Sequence, residues 1–219
     1  MPTRGHHPSS LPVKDARTRL LLLRHGEVEA RYQRVFGGRI DMDLSPHGLE
    51  QARQLAQFLE PVHLDGLYVS PMKRAQQSVA PLAALNGGKP ATLEGLREVD
   101  FGDWTGLHWD QVRERYAVTA FDWLRELERG GIPQAETVPA FNQRVGMALD
   151  HILAVHPGQV VAIMCHGGVI RMLLSILLEL PLPRMASFEI DYASVSIVDH
   201  RPRKTEVQLL NFTPWRGLP

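Results

Sequence analysis

Two short apolar runs constrain this chain most, because each of them stops at a histidine followed by glycine. Residues 20–23 are four leucines that lead into Arg24, His25 and Gly26, and residues 160–165 lead into His166 and Gly167. A short apolar run of this kind predicts a strand that is buried on both faces of a parallel sheet. Open α/β sheets bind their ligands at the carboxyl ends of such strands, so we expect the two imidazoles to face one pocket.

Composition limits the rest of the protein. With 219 residues, 44% of them apolar, the chain is long enough for one well-packed core. Its 24 basic and 24 acidic residues balance, which argues against nucleic acid or an anionic membrane as a partner. The single cysteine, Cys165, lies inside an apolar strand and is expected to be a buried core thiol. No apolar run approaches the roughly 20 residues that span a bilayer.

The amino-terminal segment has a different composition from the rest. Residues 1–17 contain proline, serine and histidine but lack the apolar stretch of a secretory signal. We therefore expect a disordered leader over residues 1–17, a single domain over residues 18–219, and a cytoplasmic location.

Strand and helix patterns alternate along that domain. Ser45-Pro46 and Ser70-Pro71 are typical helix starts, residues 137–155 form the longest helical pattern, and residues 188–198 and 206–212 suggest a closing hairpin. Two short helical patterns within a segment of about residues 106–136 indicate a cap. The expected fold is a three-layer α/β/α sandwich, with a mostly parallel, mixed sheet and a small helical cap.

Arginines accompany the predicted strand ends. Arg24 precedes His25, Arg74 follows Ser70-Pro71, and Arg171 lies one turn beyond His166. Arginine binds phosphate in a bidentate manner, and helix amino termini add backbone donors, so the expected ligand is a phosphate. We rank Arg171 below Arg74, since it has an equally plausible structural role.

Other chemistries fit less well. Neither histidine has a further ligand at the spacing that zinc prefers, so we expect no metal and no cofactor. The chain lacks Gly-x-Ser-x-Gly, and Ser70 is explained as a helix cap. We interpret Trp109, Phe121 and Trp123 as core or cap packing, and leave only Trp104 as a candidate site aromatic.

Four motifs in a fixed order resemble those of the histidine phosphatase superfamily, the phosphoglycerate-mutase-like proteins. They are Arg24-His25-Gly26-Glu27, the segment 70–75, the segment 98–106 with Phe101-Gly102-Asp103-Trp104, and the segment 166–171. The similarity runs from about residue 18 to residue 212. Phe-Gly-Asp-Trp and the short cap look most like the small bacterial phosphatases, of which alpha-ribazole phosphatase is one.

The resemblance implies specific roles. His25 matches the nucleophile that becomes phosphohistidine, Glu98 matches the proton donor, and Arg24, Arg74 and His166 match the residues that hold the phosphoryl group. Arg34 keeps a further family arginine, Arg31 is placed to reach the same phosphate, and Gly167 completes the implied substrate-binding set. The implied activity is metal-independent hydrolysis of a small phosphorylated metabolite.

The chain also departs from the family pattern. Val28 stands where the family usually has threonine, and residues 29–31 replace its usual polar residues. Two alternatives stay open at this point: a phosphoglycerate mutase, and a catalytically idle module that binds phosphate or a phosphoprotein.

Overall fold

The two apolar runs that end in His-Gly form neighbouring parallel strands. In the computed structural model, which describes residues 16–216, β1 (Thr18–Arg24) pairs with β4 (Val160–Cys165). Their register sets Arg24 opposite Cys165. His25 and His166 therefore leave the sheet side by side at the same edge.

Four further strands complete the sheet. They are β2 (Gly66–Val69), β3 (Ala91–Thr92), β5 (Val195–Arg201) and β6 (Lys204–Phe212). The order β3-β2-β4-β1-β5-β6 gives four parallel strands, followed by an antiparallel hairpin. The predicted mostly parallel, mixed sheet and closing hairpin are confirmed, although the hairpin's first strand begins at Val195 rather than near residue 188.

Within the described residues 16–216, six α-helices flank the sheet. In chain order they are α1 (Pro46–Leu59), α2 (Lys73–Asn86), α3 (Trp109–Tyr116), α4 (Trp123–Glu128), α5 (Val138–Val155) and α6 (Gly167–Leu178). Ser45 caps α1 as predicted, since its hydroxyl accepts a hydrogen bond from the amide of Gly48 at 2.9 Å. The helix predicted at Ser70-Pro71 begins later, at Lys73, without a side-chain cap.

The leucines of β1 alternate between two apolar layers. Leu20 and Leu22 belong to the core under α5 and α6, whereas Leu21 and Leu23 pack in a second core under α1 and α2. All four are at most 1% exposed. Burial on both faces explains why the run is continuous rather than alternating, and it confirms the three-layer sandwich.

The short helices α3 and α4 form the cap, which lies on the α5 and α6 side. Val112, Leu124 and Leu127 join the larger core, so the cap is anchored by buried side chains. Gly130, with φ of 70°, follows the end of α4. Trp123 of the cap lies 3.4 Å from a Cβ built on Gly168, at the start of α6, so the cap stands close to the carboxyl end of β4.

The predicted leader mostly lies outside the described residues. Of residues 1–17, only Ala16 and Arg17 are described, and Arg17 is not free, because its Nη1 lies 3.3 Å from a carboxylate oxygen of Asp199. Within residues 16–216, no helix has both the length and the apolar character needed to cross a membrane.

Candidate active site

The two histidines lie side by side, but only His25 faces the cavity, so the expectation that both imidazoles face one pocket is met in part. The amide of His25 donates to the carbonyl of Cys165 at 3.0 Å, and the imidazole centroids of His25 and His166 are 5.1 Å apart. Both rings are buried, with 5% exposure for His25 and none for His166. His25 borders a cavity of about 250 Å³, whereas His166 lies behind it, out of the lining.

Arg74 connects the two rings. Its Nε lies 3.2 Å from Nε2 of His25 and 3.2 Å from Nδ1 of His166. Its terminal nitrogens donate to the carbonyls of Ile40 at 2.8 Å and Gly38 at 3.0 Å, which fixes the guanidinium in the cavity wall. Burial lowers the pKa of Arg74 to about 10, so it is still cationic at neutral pH.

These contacts define the proton positions on the imidazoles. Nδ1 of His25 lies 2.7 Å from the carbonyl of Gly26 and must donate, so its Nε2 carries the lone pair that Arg74 approaches. Burial lowers the pKa of His25 well below its usual value, and the charges of Arg74 and Arg24 lower it further. Nε2 of His25 is therefore an unprotonated nitrogen at the edge of a cationic pocket.

Ser70 has a role that the sequence reading missed. Its hydroxyl lies 2.7 Å from Nε2 of His166. Because Nδ1 of His166 faces Arg74, Nε2 is the nitrogen that donates to the serine. Ser70 is thus a partner of His166 rather than a helix cap, and Ser-Pro was a misleading signal. Burial, followed by the charge of Arg74, lowers the pKa of His166 well below its usual value.

Arg24 closes another side of the cavity. Its guanidinium carbon lies 4.1 Å from the ring centroid of Tyr192, and its Nη1 donates to the carbonyl of Ile190. Its Nε is buried and has no hydrogen-bond partner among residues 16–216. A Cβ built on Gly167 would lie 3.6 Å from that guanidinium, an ordinary contact distance, so the start of α6 packs directly against Arg24.

Glu98 is held by backbone amides at the cavity wall. One carboxylate oxygen accepts from the amide of Val99 at 3.0 Å, and the other accepts from the amide of Gly168 at 3.1 Å. A Cβ on Gly168 would clash with this carboxylate, so glycine at this position leaves the space that the Glu98 carboxylate occupies. The carboxylate therefore stands at the amino terminus of α6, in the same wall as Gly167.

Arg144 of α5 supports the Glu98 loop from below and was also missed. Its Nη1 donates to the carbonyls of Gly95 at 2.8 Å and Arg97 at 2.6 Å, and its Nη2 donates to that of Glu98 at 3.2 Å. Glu136 pairs with its Nε at 2.6 Å. Nothing in the helical pattern distinguishes Arg144 from a solvent-facing arginine.

Arg31 and Arg34 do not line the cavity. Arg31 is exposed and forms an ion pair with Glu29 at 2.8 Å. Arg34, with φ of 57°, is also exposed, and its guanidinium carbon lies 5.4 Å from the ring centroid of Trp109. The structure thus separates both arginines, which the resemblance placed at the phosphate, from Arg24 and Arg74.

The aromatic residues are distributed opposite to expectation. Trp104, the candidate site aromatic, is fully buried and packs on Phe36 with ring centroids 5.1 Å apart. Trp109, Phe121 and Trp123, interpreted as packing residues, all line the cavity. Their short cap helices turn these side chains toward the strand ends. Arg171 also lines the cavity, where burial lowers its pKa to about 10.

Two further expectations concern cysteine and metals. Cys165 is fully buried, as predicted, and burial raises the pKa of its thiol. Among residues 16–216, no three histidine, cysteine or acidic side chains group in a way that would hold a metal ion. That no metal and no cofactor takes part remains a prediction.

Comparison with known proteins identifies the family. The model of the histidine phosphatase superfamily (branch 1) matches residues 20–213. The chain belongs to the histidine phosphatase superfamily. The resemblance inferred from the four motifs is confirmed.

Curated relatives of this histidine phosphatase cover nearly its whole length. Phosphoserine phosphatase 1 of Hydrogenobacter thermophilus is 30% identical over 195 residues, which cover 89% of this chain and 92% of that protein. The adenosylcobalamin/alpha-ribazole phosphatase of Escherichia coli is 27% identical, over 88% of this chain and 95% of that one. The chain is accordingly a phosphoric monoester hydrolase.

Solved structures agree with this fold. The crystal structure of the alpha-ribazole phosphatase from Shigella flexneri superposes with a TM-score of 0.78 at 26% identity. The match covers 92% of this chain and 99% of that one.

Proposed function

We propose that this enzyme hydrolyses small phosphomonoesters through a phosphohistidine on Nε2 of His25. The observation that carries the proposal is the neutral tautomer of His25, whose Nε2 is free of a proton and borders a cavity that Arg24 and Arg74 also line. A neutral imidazole is a competent nucleophile, and fixed cations stabilise the charge that spreads over the phosphoryl oxygens in the transition state.

In the first step, Nε2 of His25 forms a bond to phosphorus as the bond to the leaving oxygen breaks. Glu98, protonated, gives its proton to that oxygen, and the alcohol departs. In the second step, the Glu98 carboxylate takes a proton from water, whose oxygen attacks phosphorus, and His25 leaves as the neutral imidazole. Inorganic phosphate is the second product, and the enzyme returns to its starting state.

His166 has a supporting role in this proposal. Ser70 fixes its tautomer, so that Nδ1 faces Arg74 and keeps that guanidinium aligned with His25. Arg74 is also anchored by two backbone carbonyls, which supports a preorganised site rather than one assembled by the substrate.

Two neighbouring residues in the cap favour hydrolase activity over phosphoglycerate mutase activity. The mutases that resemble this family have two consecutive arginines after a tryptophan in the cap. Here Trp123 is followed by Leu124 and Arg125. Leu124 is 1% exposed in the core, and the Arg125 side chain is 75% exposed, so neither offers a charge to the cavity.

The named relatives act on different small phosphorylated compounds, which supports that substrate class for this chain. We include a cytoplasmic location in the proposal, since such metabolites are concentrated there; cell fractionation with a specific antibody tests it.

The test of the function is a panel of phosphorylated metabolites incubated with the pure protein in EDTA. Steady release of inorganic phosphate at an unchanged rate supports the proposal. A second arm supplies 3-phosphoglycerate with the bisphosphate primer in a coupled assay. If 3- and 2-phosphoglycerate interconvert well above the rate of phosphate release, the enzyme is a phosphoglycerate mutase and the proposed hydrolase function is wrong.

A further inference from the structure

The cavity is lined by aromatic side chains as well as by arginines, and the six aromatic residues named next form what we call the aromatic wall. Its members come from the loop after β1, the Glu98 loop and the cap: Tyr32, Phe36, Phe101, Trp109, Phe121 and Trp123. Phe101 joins two of them, since its ring centroid lies 4.9 Å from that of Phe36 and 5.2 Å from that of Trp123. Ligand pockets with this composition bind the apolar body of a ligand, while their few polar groups fix its reactive end.

Trp123 lies beside the proposed acid. The space above Gly168 that the Glu98 carboxylate occupies is also bordered by the indole of Trp123, whose Cη2 is 3.4 Å from a Cβ built there. The leaving oxygen must come within hydrogen-bond reach of Glu98 to receive a proton. The carbon atoms attached to that oxygen are therefore brought against the aromatic wall.

Phe121 extends the wall to the mouth of the cavity. Its side chain is 72% exposed, although it lines the cavity and its ring centroid lies 5.6 Å from that of Trp109. Covering such an exposed ring with an apolar ligand removes apolar surface from water on both partners, which favours binding.

Among the described residues, the charges of the lining leave no free cation for a substrate carboxylate. Of the described residues that line the cavity, three are arginines, and Arg24 and Arg74 are already assigned to the phosphoryl group. The terminal nitrogens of Arg171 donate to the carbonyls of Gly167 at 3.3 Å and Phe188 at 2.9 Å, and its Nε is buried. Glu189 also lines the cavity and its charge acts on Arg171, so it offsets the third cation that a substrate carboxylate would need.

We propose that the preferred substrates are phosphomonoesters of alcohols with a flat, uncharged, ring-containing body, and that Phe121 contributes to this specificity. The inference rests on the proposed function. This specificity distinguishes the chain from an enzyme that acts on phosphoserine. The ammonium and carboxylate groups of phosphoserine would find no oppositely charged side chain in the aromatic wall.

The test compares three substrates that share an alkyl leaving oxygen: 2-phenylethyl phosphate, ethyl phosphate and O-phosphoserine. The value of kcat/KM for 2-phenylethyl phosphate should exceed the other two by at least about tenfold, equivalent to ~1.4 kcal/mol. Phe121→Ala should reduce the preference for 2-phenylethyl over ethyl phosphate by roughly three- to tenfold. Met147→Ala, which removes a comparably exposed apolar side chain (66%) that does not line the cavity, should leave the preference unchanged.

Phosphoserine turned over as efficiently as 2-phenylethyl phosphate would overturn the substrate class and leave the hydrolytic mechanism intact. Absence of phosphate release from every ester would instead refute the proposed function. Binding provides an independent measurement, because Trp109 and Trp123 report on the cavity by fluorescence. The non-hydrolysable 2-phenylethylphosphonate should bind at least about tenfold more tightly than ethylphosphonate; equal affinities would contradict the aromatic preference whatever the turnover.

Discussion

Replacing Gly168 with alanine should disable the proposed acid without removing any titratable group. The new Cβ would clash with a carboxylate oxygen of Glu98, while its distance of 3.4 Å to Trp123 is an ordinary contact. To regain a normal separation, the carboxylate must move by about 1 Å, a misplacement that typically costs about 10²-fold in rate. We therefore expect Gly168→Ala to lower kcat for an alkyl phosphate by about 10²-fold.

The backbone itself should not suffer from this change. Gly168 lies in the first turn of α6, and alanine in a helix is favoured over glycine by up to about 1 kcal/mol. Gly146 is a matched control in α5, where a Cβ would meet nothing closer than Ile176 at 3.9 Å. Gly146→Ala should keep full activity.

The assay measures phosphate release from an alkyl phosphate and the nitrophenol burst from 4-nitrophenyl phosphate. Because nitrophenolate leaves with little need of a proton, the phosphorylation step should suffer much less with this second substrate. Unchanged alkyl phosphate turnover in a folded Gly168→Ala protein would refute the position of the acid. An equal loss of the phosphorylation step for both substrates would refute its role as proton donor.

Three further changes test other parts of the site. Glu98→Gln should lower turnover of an alkyl phosphate by roughly 10²- to 10⁴-fold, the usual range for a positioned acid. Ser70→Ala leaves the donor of His166 without its partner, so both the free energy of unfolding, by about 1–3 kcal/mol, and kcat should fall. The free energy of unfolding should also decrease as the pH falls below about 6.5. Burial lowers the pKa of His25 and His166 in the folded protein, whereas in the unfolded chain a histidine binds a proton below its usual pKa of about 6.5. The contribution of these two neutral imidazoles to the free energy of unfolding is therefore fully present above that pH. It should fall below it by up to about 1.4 kcal/mol per pH unit for each histidine, as measured by urea denaturation.

Each of these has a clear contrary result. Full alkyl phosphate turnover by Glu98→Gln would direct attention to Asp100 or Asp103. Ser175, a serine that donates to the carbonyl of Leu180 at 2.6 Å, is the control for Ser70: Ser175→Ala should lose stability but not kcat. A urea midpoint that stays constant between pH 6.5 and 5 would mean that both imidazoles take up protons in the folded state as they do in the unfolded chain.

The four residues at the centre of the site could be predicted because the ends of buried strands can be recognised in a sequence. A buried strand reads as an apolar run, and the polar residues that follow parallel neighbours must share an edge. That logic predicts from the sequence alone that His25, His166 and Arg24 lie at one site. Arg74 followed from its place at the start of a helix, and the structure confirms that all four lie close to one another.

The remaining errors come from loops and from the direction of side chains. Ser70 was read as a cap, yet Pro71 and Met72 intervene before α2, which frees its hydroxyl to reach His166 across 96 residues of sequence. Arg34 adopts a positive φ, which the sequence pattern does not predict for an arginine. Helical periodicity likewise does not distinguish an aromatic side chain that faces the core from one that faces a cavity.

The central claim is that His25 carries the phosphoryl group, and rapid acid-free quenching tests it most directly. Brief exposure to a substrate labelled in its phosphoryl group should give a phosphoprotein that is stable in base and labile in acid. Mass spectrometry should place the label on His25, and His25→Ala should lose both label and turnover. An acid-stable label, a label on another residue, or substantial activity in His25→Ala would contradict the account.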